Sequence, residues 1–263
     1  MSESPLQAAR ESGLVREGQP LLVMVSGGGD SVALLDIAVR LGAQASALHV
    51  NYDLREDSSV DQALVQRLCE ERDVPLTVEH ISLDRGAGNL QARAREARYA
   101  LAERLAVGDY AAAHTASDQA ETVLYRLAVS PGSRALHGMA QRRGRLVRPL
   151  LGVTRAEVRD YLRARGLGWR EDPTNADRRF ARARVRHDVL EALRELSPAA
   201  ERTIAETARQ LRDEAEVLDA AVADALDELG GGHAISLAAL AEHPPALRRL
   251  ILRALVEGVG GAG

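Results

Sequence analysis

The sequence predicts an α/β fold: a doubly wound parallel sheet followed by a smaller helical C-terminal region. Three observations predict it. Short apolar runs alternate with helical periodicity from Leu21 to about Ala128, the pattern of a parallel sheet with helices on both faces. The first apolar run ends in Ser26-Gly27-Gly28-Gly29-Asp30-Ser31 and passes straight into a helical pattern. Polar clusters at Ser26, at His49 to Asn51 and at His114 each fall where a strand should end, and such sheets bind ligands at the carboxyl ends of their strands.

The elements follow in order. Residues 1–19 read as a short helix and a loop closed by Gly18 and Pro20. A buried strand covers 21–25. Gly27, Gly28 and Gly29 are expected to permit a tight turn with positive φ and to leave room for a ligand against the backbone. Ser31 and Val32 open a helix to about 41, whose unpaired N–H groups and positive dipole end attract an anion. Further strands are expected at Ala45–Val50, Leu76–Ile81 and Tyr110–Ala113. The helices between them cover about 58–72, capped by Ser58 or Ser59 with Asp61 in the first turn, and Leu90–Val107. Ser117 is expected to cap a helix to about Ala128. Leu146–Leu151 includes a short extended piece halted by Pro149. Thr154 caps a helix to about Arg165, and Glu157 completes a capping box. Residues 169–180 read as a loop, Arg182–Leu196 as a helix and Ala199–Leu229 as a long acidic helix. Gly230, Gly231 and Gly232 break it, and 233–257 hold a short strand-like piece and a Pro244-capped helix.

Composition narrows the chemistry. Of 263 residues, 46% are hydrophobic but only 3% aromatic, so the core must be Leu, Val and Ala, and stacking platforms for single-stranded bases are scarce. No apolar run approaches the length of a membrane span, and no leader pattern opens the chain, so the expected location is cytoplasmic with no membrane partner. Cys69 is the single cysteine. It excludes an intrachain disulfide and a CxxC pair, and its place in an amphipathic pattern suits buried packing. All 34 basic residues are arginine, so lysine Schiff-base chemistry is excluded and phosphate contacts fall to arginine forks, backbone and helix ends. The net charge of −4 is uneven: Ala140–Arg186 carries 14 Arg against five acidic residues, and from His187 onward there are seven Arg against 14. That basic block fits a polyanion site; solvated helix faces with i,i+4 pairs are the alternative.

The turn at 26–31 lacks both GxGxxG and the Gly-Lys-Ser/Thr of the usual P-loop. It resembles the SGGxDS loop of the N-type ATP pyrophosphatases, the PP-loop family, which cut ATP between its α and β phosphates. In the second constellation, Asp118 and Glu121 share one helix face in its first turn, with His114 just before it. Two such carboxylates could bind Mg²⁺ or a substrate ammonium; helix capping is the other reading. Several ordered blocks extend the resemblance. His49-Val50-Asn51 with Leu54-Arg55 is similar to a strand motif of the tRNA(Ile)-lysidine synthetase family, and Gly88-Asn89, Ala94-Arg95 and Arg98-Tyr99 to its helix motif. His114-Thr115-Ala116-Ser117-Asp118-Gln119-Ala120-Glu121-Thr122 resembles its His-x-x-Asp-Asp-Gln-x-Glu-Thr. Arg148-Pro149-Leu150-Leu151 and Glu171-Asp172-Pro173-Thr174-Asn175, followed by Arg182 and Arg186, match two later blocks. The chain departs from the pattern at Ser117, where the first Asp is usual, at Tyr52-Asp53 and at Val129-Ser130.

The resemblance implies the domains, the reaction and the roles. It implies an N-terminal segment over 1–19, a PP-loop ATP pyrophosphatase domain over 20–186 with a basic tRNA-facing segment at 140–186, a helical linker over 187–232, and at 233–263 the start of a C-terminal domain cut short. It implies ligation of free L-lysine to the wobble cytidine of a CAU-anticodon tRNA(Ile), with ATP as substrate and Mg²⁺ as cofactor; a homodimer is one expected assembly. Ser26, Gly27, Gly28, Gly29, Asp30 and Ser31 would bind ATP, with Asp30 holding Mg²⁺ or orienting the loop. Arg95 would contact phosphates or the activated base, and Asp118 and Glu121 would cradle lysine. His114 would position groups or transfer a proton, and Arg148, Arg182 and Arg186 would hold the tRNA backbone. Plainer readings stand beside these: Arg95 paired with Glu96 or Glu103, His114 as a helix-start histidine, and Arg182, Arg184 and Arg186 on a solvated helix. The competing functions are a PP-loop tRNA thiolase, which needs a sulfur-bearing cysteine set, an amidotransferase-type ligase, which needs a source of ammonia, and a catalytically impaired ATP- or tRNA-binding protein.

Overall fold

A computed structural model describes residues 4–52, 58–82, 90–171, 181–230 and 235–260. Leu54-Arg55, Gly88-Asn89 and Asp172 to Asn175, singled out in the sequence, lie outside them. The chain divides into two compact units, Met1–Ala208 and Arg209–Gly263.

Among the described residues, six strands form one sheet in the first unit: β1 (Pro20–Met24), β2 (Gln44–Asn51), β3 (Leu76–His80), β4 (Asp109–Ala111), β5 (Arg142–Arg143) and β6 (Leu146–Val147), in the order β3-β2-β1-β4-β6-β5. All neighbours are parallel except the β5–β6 hairpin. The extended piece at 146–147 is therefore a fifth parallel strand, a pairing that a two-residue segment cannot announce by periodicity. Alternation along β1 divides the core. Leu21, Val23 and Val25 face a layer made by α1 (Ser4–Glu11), α2 (Gly29–Arg40), α3 (Ser58–Glu70) and α6 (Arg155–Ala164), while Leu22 and Met24 face α4 (Leu90–Leu105). Cys69 is buried in the first layer, and burial pushes its thiol up to about 11.

Helix α5 (Ala116–Val129) follows β4 directly. Its cap is Thr115, not Ser117: the Thr115 hydroxyl accepts from the Asp118 N–H, and Asp118 returns the bond to the Thr115 N–H. Either residue type can cap; the capping box moves the boundary two residues back and leaves Ser117 inside the helix. A helical run then covers α7 (Ala181–Arg184), a π-helical stretch Val185–Val189 and α8 (Leu190–Leu196), followed by α9 (Ala200–Glu228). The second unit holds the latter part of α9 with α10 (Leu237–Glu242) and α11 (Pro245–Gly260), around Val222, Ala225, Leu240 and Ile251. Of the strand-like piece expected after residue 232, residues 233–234 lie outside the described residues; the chain then enters α10, capped by Ser236. Among the described residues no helix is long and apolar enough to cross a membrane.

One buried charge ties α2 to α6. Asp36 is 3% exposed and accepts from Tyr161 Oη at 2.6 Å, with Arg165 at 3.2 Å and Arg72 at 3.4 Å. Burial alone would raise its carboxyl, but Tyr161, Arg165 and Arg72 together hold it below the usual aspartate range. Asp36→Ala should lose about 3 kcal/mol of stability at pH 7, because the buried Tyr161 hydroxyl and the partly buried Arg72 guanidinium lose their acceptor. The difference from the parent should be full above the ordinary aspartate range and close as pH falls through the lowered value. Denaturant titrations at pH 7 and in acid measure both.

Candidate active site

The turn at 26–31 lies between β1 and α2. Only one of its three glycines uses positive φ: Gly27, at +87°. Gly28 is the extended N-cap of α2, and Gly29 is already helical, so the helix starts two residues before Ser31. Gly29 instead gives way to a side chain. A Cβ there would fall 1.9 Å from Arg159 Nη1, so this guanidinium lies directly over the turn. The two serines brace the loop: Ser31 Oγ donates to Gly28 O at 2.8 Å and accepts from Ser26 N at 3.1 Å, and the two hydroxyls are 3.3 Å apart. From outside, Arg170 N donates to Gly27 O at 3.0 Å, and its side chain pairs with Asp61 at 2.9 Å. The result is a preformed turn at a helix N-terminus, where the first N–H groups have no intrahelical partner.

Beside it, three carboxylates converge on Arg155, the first residue of α6. Its Nη2 donates to Asp118 Oδ1 at 2.7 Å and its Nη1 to Glu121 Oε1 at 3.2 Å, and Nε is 3.6 Å from Asp30 Oδ2. Glu121 is also gripped by Arg186, at 2.6 and 3.0 Å, and Asp30 Oδ1 is 3.5 Å from Arg159 Nη1. The two acidic positions respond differently. Burial dominates at Asp30, with the Asp118 charge adding to it, and raises its carboxyl to about 6 against the pull of Arg155 and Arg159. Burial also opposes ionisation of Asp118, but Arg155, His114 and the Thr115 hydrogen bonds outweigh it and hold that group down.

His114 lies between two arginines. Arg148 Nε donates to its Nδ1 at 3.2 Å, and Arg95 Nη1 is 3.4 Å from its Nε2. A neutral imidazole has one acceptor nitrogen, so it satisfies one arginine and turns an N–H toward the other. Burial, with Arg95, Arg148 and Arg98 acting against Asp118, pushes the ring down to about 3, and it is neutral at pH 7. Arg95 lies over the Tyr99 ring at 4.9 Å, half-buried, not in a surface pair with Glu96 or Glu103. Of the arginines expected to face a polyanion, Arg148 is buried and also donates to Ala140 O, Arg186 is committed to Glu121, and Arg182 is exposed.

Sequence reasoning missed Arg155, Arg159 and Glu201. Ser117 Oγ donates to Glu201 at 2.7 Å and accepts from Arg155 N at 3.0 Å; Arg194 holds the other Glu201 oxygen. A usable signal existed for Arg155: a cation in the first turn of a helix opposes the dipole, so it calls for a specific acidic partner. Among the described residues no group of three His, Cys, Asp or Glu side chains could cage a metal.

A PP-loop domain model matches residues 3–193. The chain is 41% identical over 254 residues to a tRNA(Ile)-lysidine synthase from Thermobifida fusca, covering 92% of this chain and 78% of that protein. The chain belongs to the tRNA(Ile)-lysidine synthase family. It is also 44% identical to a tRNA(Ile)-lysidine synthase from Thermus thermophilus, over 92% of this chain but 49% of that protein, so it spans about half the length of that relative. Among solved structures, a U34-tRNA thiolase, NcsA, from Methanococcus maripaludis with its 4Fe–4S cluster superposes with a TM-score of 0.68 over 80% of this chain and 78% of that one, at 16% identity; this likeness is one of fold. The turn at 26–31 lies inside the matched PP-loop domain.

An Asp30 carboxyl raised from 3.8 to about 6 keeps a proton in the folded chain that the unfolded chain has already lost. Stability therefore falls as pH rises across that window. Without nucleotide or divalent cation, Asp30→Asn should remove this slope: equal to the parent at pH 4, it should be about 2 kcal/mol more stable at pH 8, by denaturant titration at both values.

Proposed function

We propose that this chain joins L-lysine to C2 of the wobble cytidine of a CAU-anticodon tRNA(Ile), using ATP and forming lysidine, in the cytoplasm. The observation that carries the reading is the meeting of the PP-loop with the Asp118 and Glu121 face of α5, in a chain of this family.

In the first step cytidine O2 attacks the α-phosphorus of ATP, a new P–O bond forms, and the bond to the β-phosphate breaks. Pyrophosphate leaves with the negative charge. The N-terminal N–H groups and dipole of α2 support stabilisation of that charge, and Arg159, over Gly29, adds a guanidinium. The donor set fits a Mg²⁺ that arrives with the nucleotide: one carboxylate, Asp30, in a field that burial and Asp118 make unfavourable to its own charge, with phosphate oxygens and water completing the shell. Bound there, Mg²⁺ would neutralise phosphate charge. Arg95, whose neighbour His114 can accept from only one arginine, is suited to a phosphate or to the adenylated base. In the second step the lysine ε-amine attacks C2, the C2–O bond breaks, AMP leaves and the amine loses a proton. Asp118 and Glu121 would cradle the α-ammonium. A ring pushed down to about 3 is a weak base, which supports His114 in positioning Arg95 and Arg148 over proton transfer. Arg182, exposed, is the arginine of the expected set suited to the tRNA backbone.

A thiolase reading meets the single Cys69, buried in the helical layer with its thiol raised to about 11, the opposite of a reactive sulfur. With ATP, Mg²⁺, lysine and unmodified CAU-anticodon tRNA(Ile), the chain should release pyrophosphate and yield tRNA carrying lysine by mass spectrometry. Asp118→Asn should lower kcat/KM by about 100-fold or more. Transfer of sulfur, and not lysine, to the tRNA when a sulfur donor is supplied would contradict the proposal, as would nucleotide binding without turnover.

A further inference from the structure

The lysine cradle is already filled. Both Glu121 oxygens accept from Arg186, and Oε1 also from Arg155. Asp118 gives Oδ2 to the cap of α5 and Oδ1 to Arg155. An incoming ammonium needs the same lone pairs as the Arg155 guanidinium. Each of the three acidic side chains is paired with arginine: Arg155 reaches Asp30, Asp118 and Glu121, Arg186 holds Glu121, and Arg159 is shared between Asp30 and Glu171. The Asp118 and Glu121 oxygens are thus all engaged, and an ammonium gains them only where a guanidinium leaves.

Arg155 is the one built to leave. Its backbone is fixed: its N–H donates to Ser117 Oγ, and Thr154 and Glu157 close the capping box around it. Its side chain spans from α5 to the PP-loop, with a short contact at Asp118 and a long one, 3.6 Å, at Asp30. A polyphosphate on that loop brings several negative charges to the Asp30 side of the guanidinium, and arginine binds phosphate in the same forked geometry as carboxylate.

We propose that Arg155 couples the two substrate sites: it holds the Asp118 and Glu121 cradle closed until nucleotide phosphates draw its guanidinium toward the PP-loop, which opens the cradle to lysine. This rests on the lysine and ATP assignments above. Arg155 then belongs to the cradle in the empty state and to the phosphate site in the loaded one. Nucleotide and lysine must strengthen each other's binding by the same factor.

Calorimetric titration of the full chain with lysine, with and without Mg²⁺ and α,β-methylene-ATP, tests this, since that analogue cannot be cut at the α–β bond. Lysine should bind at least about tenfold more tightly with the nucleotide present. Arg155→Gln should reduce that ratio to within about twofold, and it should do so by tightening lysine binding in the nucleotide-free state, which lost packing alone would not produce. Arg155→Lys, which keeps the charge without the fork, should retain part of the coupling. A parent ratio near one, or weaker nucleotide-free lysine binding in Arg155→Gln, would overturn the coupling while leaving the lysidine reading intact. Nucleotide binding with no lysine binding in either state would contradict the cradle itself and the coupling with it.

Discussion

One guanidinium, that of Arg155, joins the parts of this site. It reaches from the first turn of α6 to Asp118 and Glu121 on α5 and to Asp30 in the turn at 26–31. The sheet order explains why one side chain can do this. β4 lies between β1 and β6; that turn follows β1, α5 follows β4, and α6 starts soon after β6, so three segments leave neighbouring strand ends toward the same side. Like charges gathered there would repel, and ionised carboxylates out of water are costly without partners. The arginine makes the convergence tolerable, and the Ser117 and Glu201 contacts fix where its backbone stands.

The balance is incomplete, and that is informative. Asp118 remains well supplied with donors, while Asp30 receives only long contacts to two arginines and is raised to about 6. A perturbed carboxylate in a glycine-rich turn at a helix N-terminus is a common mark of a working site. Its cost in stability is the kind that binding machinery retains because a ligand relieves it. The deeper network at Asp36 is the contrast: there a buried carboxylate is fully partnered by Tyr161, Arg165 and Arg72, and it serves to lock α2 against α6.

Much of this was legible in the chain because the signals are local. The strand-turn-helix at 21–40, the three-residue spacing of Asp118 and Glu121, and the Thr154–Glu157 box each depend on residues within one or two turns. The errors were local choices between equals: Thr115 and Ser117 are both good caps, and three successive glycines do not announce that only Gly27 takes positive φ. What could not be read was contact across the fold. Arg155 is 34 residues from Glu121 and 37 from Asp118, Arg159 lies over a glycine 130 positions earlier in the chain, and Ser117 meets Glu201 across 84. An unbroken arginine usage hides them further, since no lysine stands nearby to make a chosen arginine conspicuous.

The central claim is that Arg155 and the acidic face of α5 form one energetic unit. A double-mutant cycle in folding stability at pH 7, with Asp118→Asn, Arg155→Gln and the pair, measures it most directly; the asparagine keeps an oxygen for the α5 cap. A coupling of about 1.5 kcal/mol or more between the two positions is the expected result for partly buried, hydrogen-bonded charges. Additive effects, with coupling within about 0.3 kcal/mol of zero, would contradict the account.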